Sequence, residues 1–568
     1  MWGRKYKDDN RRGYDGSFIK RGVYMSYNKE VFPKVELLQK ELPENQNLQI
    51  QAYGRRIKKD QTIPEYLLEF LLVFIGESND KFGFDKASEE CNKAIEYRIN
   101  TNIGLKRFIF FENSKLDNRF EIDSKAYEKL REILKNKISV NSYYEDDVLD
   151  IIQELFYGFS AVTKNRGWFA QSLMPICKET IFPEAMGKKG IRKPLRFDRD
   201  KVEIDKKFEF KEHNFMARGG EVYYLHILQG LSKIREQDES QYFKLKDSIQ
   251  NNIFNLINSY PQISTIAKWI NSNWNEFMSK HCKEDIEEIE KMNKETMSCQ
   301  WITERYRRRS EYTVKELNNL LICETSEFEK IDLLNTAIII QTLRMMVESS
   351  KCISENKEES NPMWLIHVPS TSEVDNKVKK LAVQEYKNIE ESMEISISKM
   401  LERKRQVEFE ESNIRTSKKV TKNKSDLILL KEANEDSFKL LRKLGKDIGL
   451  ITPLRGDNMR LSINDPIIRF LVLSLVEPNT KQTLKTFLKK LYKHYGIVIG
   501  PEEYNQYIND NAINSNNDVS YLNYNLMEFQ NLLRKNGFLR ELSDATSIVE
   551  NPYIKMEVKA SEFVYSSC

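Results

Sequence analysis

Asp198 or Asp200, with Glu209 and Lys211, are the residues of this 568-residue chain whose types and spacing come nearest to a reaction centre. Two carboxylates on neighbouring extended segments hold a hard divalent cation through oxygen. A lysine two positions beyond the second carboxylate stands near the water that the cation activates. The backbone pattern suits this, because Val202-Glu203-Ile204-Asp205 and Phe208-Glu209-Phe210-Lys211 alternate apolar and charged residues as strands do. A surface hairpin with cross-strand charge pairs has the same pattern.

Anion chemistry has more footholds. Arg166-Gly167 and Arg218-Gly219 each precede an apolar helical run, where free backbone N–H groups and the helix dipole favour a phosphate. Neither is a phosphate-loop signature, since GxxxxGK[ST] and GxGxxG are absent, and glycines that let the chain turn explain both equally well. Lys188, Lys189, Arg192, Lys193, Arg196 and Arg199 make the densest basic patch, on a loop containing glycine and proline. Residues 1–23 carry seven Lys and Arg against three Asp, interleaved with Gly and aromatics, a mixture that suits a solvated tail and also a flexible basic arm able to follow a phosphate backbone. A further cluster, Arg305 and Arg307 to Arg309, has Glu284, Glu287 and Glu288 near it in sequence as partners.

The carboxylates and lysine around 198–211 resemble the outline of PD-(D/E)xK nucleases, a resemblance that implies Mg²⁺-dependent phosphodiester cleavage by Asp198, Glu209 and Lys211. Other chemistry has little to work with. His213, His226, His281, His367 and His494 are scattered, and His281-Cys282 with Cys299 lacks a fourth ligand at zinc-like spacing. GxSxG and HExxH are missing. No metal and no cofactor is expected.

The elements that position these residues are helices. The chain is 40% hydrophobic and 31% charged, with 90 Lys+Arg against 86 Asp+Glu, so any polyanion-facing surface is a local patch. Seven cysteines without CxxC spacing read as free thiols in a reducing compartment. The beginning Met1-Trp2-Gly3-Arg4-Lys5 is not followed by a signal-peptide core, and the apolar runs at 66–75 and 333–347 are too short or too interrupted for a bilayer, so a cytoplasmic protein with no membrane partner is expected. The predicted class is mainly α, in several lobes. The division reads 1–23 basic arm, 24–160 N-terminal helical domain, 161–349 central helical domain with the basic loop and a short hairpin, 350–445 long helix and basic linker, and 446–568 a terminal module. A strand is predicted at 105–111, a polar linker at 350–361, and a helix of about 50 Å from 374 to about 407. Its apolar stripe is narrow enough to suit a single partner helix.

The terminal module has the clearest order. Asp465-Pro466 predicts a capped helix start, 483–495 an amphipathic basic helix stopped by Gly496, Ile497-Val498-Ile499 a short strand, 523–536 a helix stopped by Gly537, and 538–549 a hairpin. Helix, helix, helix, hairpin resembles the winged-helix family. That resemblance implies either DNA or protein as partner. For DNA, the third helix offers Asn525, Gln530, Asn531, Arg534 and Lys535 to bases and phosphates. From 457 to 568, however, 12 Lys and Arg face 13 Asp and Glu, whereas phosphate-neutralising modules carry a basic excess.

The expected function is a non-enzymatic, DNA-associated or scaffolding subunit of a bacterial multiprotein system, with DNA and fellow subunits as partners. The alternatives are the Mg²⁺-dependent nuclease and a protein adaptor without DNA contact. Residues 164–177, 208–228 and the terminal module are similar to accessory proteins of bacterial phage-defence islands of the Druantia type. That similarity implies antiviral defence and a helicase or ATPase as a fellow subunit, and specifies no catalytic residue.

Overall fold

Only 21 glycines and 14 prolines interrupt the chain, and the computed structural model carries fifteen α-helices among its described residues. The described residues lie between 48 and 556; positions 54–56, 58–61, 79, 87–94, 99–103, 106–107, 109–120, 139–143, 157–176, 182–185, 188–207, 210–218, 282–296, 300–306, 358, 371–374, 415–424, 514–517 and 543–546 fall outside them, as do 1–47 and 557–568.

The first helices are α1 (Leu48–Tyr53), α2 (Ile63–Ile75), α3 (Glu121–Lys135) and α4 (Glu145–Leu155). The central ones are α5 (Gly219–Gln237), α6 (Glu239–Ile257), α7 (Pro261–His281), α8 (Ser310–Ile322) and α9 (Glu327–Glu355). Then come α10 (Asp375–Ile414), α11 (Asp426–Asp447), α12 (Asp465–Leu475), α13 (Leu484–Tyr495), α14 (Pro501–Asp510) and α15 (Leu522–Lys535). The strands are short: β1 (Ile95–Tyr97), β2 (Met186–Gly187), β3 (Phe208–Glu209), β4 (Met297–Cys299), β5 (Trp364–Leu365) and β6 (Ile451–Thr452). They continue with β7 (Arg460–Leu461), β8 (Thr480–Thr483), β9 (Ile497–Val498), β10 (Leu539–Glu541) and β11 (Ser547–Asn551).

The centre is organised by α2, whose residues from Glu65 to Ile75 are all buried. Both of its ends are satisfied by side chains: the Thr62 N–H donates to Glu65 Oε2 at 2.5 Å, and the buried Lys86 ammonium donates to the carbonyls of Phe74 and Gly76 at 3.1 and 2.7 Å. Against it runs α5, so close that a Cβ on Gly220 would lie 2.1 Å from the Tyr66 carbonyl oxygen and 2.6 Å from the Phe70 nitrogen. Only glycine permits that approach. One hydrophobic core then extends from Leu48 to Val549, taking in α8, α9, α10 and most elements after residue 446, while α14 packs in a second cluster with Met363, Leu365 and Leu522.

Several local expectations are corrected. No strand forms at 105–111 among the described residues; Leu105 and Phe108 are helical and buried, because a short apolar run fits a buried helical turn as well as a strand. The linker expected at 350–361 is in its first part the end of α9, with Ser350, Cys352 and Ile353 buried and Asn356 ending the helix in the left-handed conformation at φ 55. The long helix α10 has 40 residues, about 60 Å at 1.5 Å per residue. Its stripe, Tyr386, Ile389, Met393, Ile397 and Met400, is buried against this chain's own helices α9, α11 and α1. The cap of α12 is Asn464, whose Oδ1 accepts from the Ile467 N–H at 3.0 Å, and Asp465 stands one place inside the helix.

The terminal elements run α12, β8, α13, β9, α14, α15, β10, β11. Strand β11 lies between β10 and β8, antiparallel to both, with Val549 opposite Leu539 and Gln482. The insertion β9–α14 ties this unit to the middle of the chain, since β9 pairs in parallel with β5, Trp364 opposite Ile497. Further backbone bonds, Glu324 N–H to Ile554 O at 2.9 Å and Met556 N–H to Ile322 O at 2.8 Å, fix the far side to the end of α8. Among the described residues no helix is long and apolar enough to cross a membrane.

Candidate functional site

The inner face of α15 is set by Phe529 and Leu533, which are fully buried, and by Asn525. Asn525 was expected to reach outward to bases; it is 2% exposed and acts as a clamp instead. Its Nδ2 donates to the carbonyls of Ile366 and Ile499 at 2.9 and 2.8 Å, and its Oδ1 accepts from the Val368 N–H at 2.9 Å. The carboxamide has the donors and acceptor that the ends of β5 and β9 leave open.

The outer face holds Asn523, Tyr524, Met527, Asn531, Arg534 and Lys535, with Gln530 half-buried. Tyr524 is 37% and Met527 40% exposed, and Leu542 beside β10 is 49% exposed. The cations on this face have carboxylates already: Arg534 pairs with Glu541 and donates to Asn531 Oδ1 at 2.7 Å, and Lys535 lies 3.5 Å from Asp465. Nearby, Arg540 lies 2.5 Å from Glu550. Such exposed pairs contribute at most about 1 kcal/mol each, but they leave the face close to neutral.

The residues on either side of the basic stretch pair with each other. Met186 pairs with Glu209 and Gly187 with Phe208, so β3 is joined to β2 and not, among the described residues, to the expected strand at 202–205. Lys188, Lys189, Arg192, Lys193, Arg196 and Arg199 lie outside the described residues, as do Asp198, Asp200 and Lys211 of the nuclease outline, so of that set only the backbone of Glu209 is placed. Arg166 and Arg218 also lie outside. The helix that follows Arg218 is described, and its N-terminal N–H groups are occupied from within the chain: Glu69 Oε2 accepts from Gly220 N–H at 2.9 Å and Glu221 N–H at 3.3 Å. The anion that the dipole favours at this point is a carboxylate of α2.

A buried polar network that the sequence did not suggest joins α5, α8, α9 and α13. Glu316 accepts from the Tyr495 hydroxyl at 2.8 Å and from Gln341 Nε2 at 3.0 Å, and its other oxygen lies 2.6 Å from His494 Nδ1. Arg344, 1% exposed, donates to Gln341 Oε1 at 2.7 Å and Glu348 Oε2 at 2.6 Å and reaches His226 Nε2 at 3.3 Å. Arg308 and Arg309 approach the same Glu348 at 3.4 and 3.8 Å and share Asn361 Oδ1. Glu284, Glu287 and Glu288, the expected partners, lie outside the described residues, as does Arg305; among the described residues the partners of these arginines come from α9, the segment after it and, for Arg307, from Glu236 on α5. Burial lowers the pKa of Arg309, and Arg344 and Arg308 add to that effect. A network of this kind fixes how four helices register.

His367 is the centre of a smaller cluster. Arg460 Nε donates to its Nδ1 at 2.9 Å, and its Nε2 faces Asp375 Oδ1 at 2.8 Å, which assigns the proton of the neutral ring to Nε2. Burial pushes its pKa below the ordinary value and Arg460 pushes the same way, against Asp375. Among the described residues no group of three or more His, Cys, Asp or Glu is placed to hold a metal. Between α9, α10 and α14 there is also a cavity of about 380 Å³ reached by Lys351, Glu385, Tyr504 and Tyr507. These four come from positions up to 156 residues apart, so spacing gave no signal of them.

No family model, no curated protein and no solved structure matches this chain.

Proposed function

We propose that this protein is a scaffolding subunit of a bacterial multiprotein system, without catalysis of its own, that holds a fellow protein through a winged-helix-like terminal module. The winged-helix reading is supported by the order of α12, β8, α13, α15, β10 and β11 and by the sheet order β10-β11-β8. It departs from the simple pattern in the insertion β9–α14. Modules of this order serve DNA or proteins, and the composition of the exposed surface supports protein.

The observation that carries the choice is the outer face of α15. Tyr524, Met527 and Asn531 stand about one turn apart and exposed, and Arg534 and Lys535 beyond them are matched by Glu541 and Asp465. Exposed Tyr and Met with neutralised charge are the composition of a protein-facing surface, whereas a phosphate-facing helix carries cations in excess. The scaffold reading is supported further by the described histidines His226, His367 and His494, each engaged with charged neighbours inside the fold. DNA association belongs in this reading to residues 188–201, which have seven Lys and Arg against two Asp. The setting in antiviral defence, with a helicase or ATPase as the fellow subunit, rests on the Druantia-type resemblance.

The test is co-expression with the proteins encoded beside it. One of them is expected to co-purify with the wild-type chain and to be lost from Tyr524→Ala/Met527→Asp, while the far-ultraviolet dichroism of the variant stays unchanged. A complex that survives the double substitution removes α15 as the docking surface.

A further inference from the structure

The cavity between α9, α10 and α14 has apolar walls, among them Val347, Ile389 and Ile508, and an uneven set of polar groups. Its cation is already answered: Lys351 Nζ donates to the Tyr507 hydroxyl at 2.9 Å, lies 3.3 Å from Glu355 Oε1, and sits 5.5 Å from the centre of the Tyr507 ring. Its carboxylate is not. Glu385 accepts from Asn388 Nδ2 at 3.2 Å and has no ion-pair partner within 4.0 Å among the described residues. Tyr504, one turn before Tyr507 on α14, also lines the cavity, and its hydroxyl has no hydrogen-bond partner among the described residues. Burial raises the pKa of Glu385 from its ordinary value, in spite of Asn388 and Lys351. Burial raises Tyr504 as well, and the charge of Glu385 adds to it.

We propose that this cavity binds a small organic cation, an ammonium carried on an aromatic or branched apolar body, with Glu385 as its counter-ion and Tyr504 beside it. A half-buried carboxylate whose hydrogen-bond partner is one amide gains from a cation that brings its own hydrogen-bond donors. The tyrosine rings add attraction for the positive charge, and the aliphatic walls take the body. The volume lies in the range of small-molecule sites. The inference is independent of the docking role assigned to α15.

Three probes of one shape test it by calorimetric titration of the full chain: tryptamine, tryptophol and indole-3-acetate. Tryptamine is expected to bind at least tenfold more tightly than tryptophol. Glu385→Gln, which keeps the size and the bond from Asn388, is expected to erase that margin and leave tryptophol within twofold. Ser392→Phe, filling the cavity from α10, is expected to abolish binding of both. The tryptamine margin should also shrink as pH falls through the carboxylate range, because protonated Glu385 offers no charge. The proposal is overturned if indole-3-acetate binds most tightly, if the tryptamine margin survives Glu385→Gln, if Ser392→Phe changes nothing, or if none of the three binds at millimolar concentration.

Discussion

Two sets of ion pairs in this protein have opposite surroundings. At the seam between the helical body and the terminal elements, Arg344 and Glu348 are 1% and 4% exposed and meet at 2.6 Å, surrounded by Gln341, Arg308 and Arg309. On the outer face of α15, Arg534 and Glu541 are 45% and 56% exposed, and Lys535 and Asp465 are 72% and 50% exposed. The first set cannot lose a member without leaving a charge in a low-dielectric interior, whereas the second loses little because water replaces whatever is removed. The difference teaches that the strong polar interactions lie inside, where His494 and Tyr495 of the terminal module join the network through Glu316, while the outer face of α15 presents charges that cancel.

The sharpest way to break the comparison is at the seam. Arg344→Met is expected to cost about 3 kcal/mol in denaturant unfolding, since it removes the shortest ion-pair contact of Glu348 and the donor to Gln341 Oε1 from a buried network. Adding Glu348→Leu should deepen that loss, because it takes the carboxylate from the buried Arg309 and from Arg308, and a double variant restored to the wild-type midpoint would mean that Arg344 and Glu348 form the unit by themselves. Next in size is Asn525→Ala, which leaves the Ile366 and Ile499 carbonyls and the Val368 N–H without the partner they have here. About 2 kcal/mol is expected from those losses, and Asn525→Asp should not restore it because the two carbonyls need donors.

A smaller effect is expected from His367. Its folded pKa is depressed by burial and Arg460, so the unfolded chain binds the proton more readily. Its contribution to stability is therefore intact above the ordinary pKa of 6.5 and is lost as pH falls from there toward the folded value. Denaturation midpoints measured from pH 8 to pH 5.5 should fall less steeply in His367→Gln than in the wild type.

How much of this was legible in the sequence depended on whether a feature was local. Gly496 marks the end of α13 because a left-handed stop acts within one turn, and the structure has it at φ 78, while Thr483 Oγ1 accepts from Thr486 N–H at 3.2 Å at the other end. The mainly helical class followed from apolar spacing and scarce glycine and proline in the same local way. Asn464 and Asp465 are both good caps, so the start of α12 was displaced by one residue. Roles that depend on distant partners left no trace. Asn525 reads as one more polar residue on an amphipathic helix until residues 157 and 159 positions earlier are brought beside it. Glu69 on an apolar helix gives no sign that it will serve the N-terminus of α5, 151 positions later. The cavity is assembled from three helices whose separate sequences are ordinary.

The central claim, that the outer face of α15 faces protein and not phosphate, is tested most directly by titrating a DNA duplex into the wild-type chain and into Arg534→Ala/Lys535→Ala over a range of salt. Equal affinities and equal salt slopes are expected, since both cations are already paired with carboxylates and neither is needed for phosphate contact. A loss of affinity with a slope shallower by about 2, one for each cation removed, would contradict the account and make α15 a DNA-contacting helix.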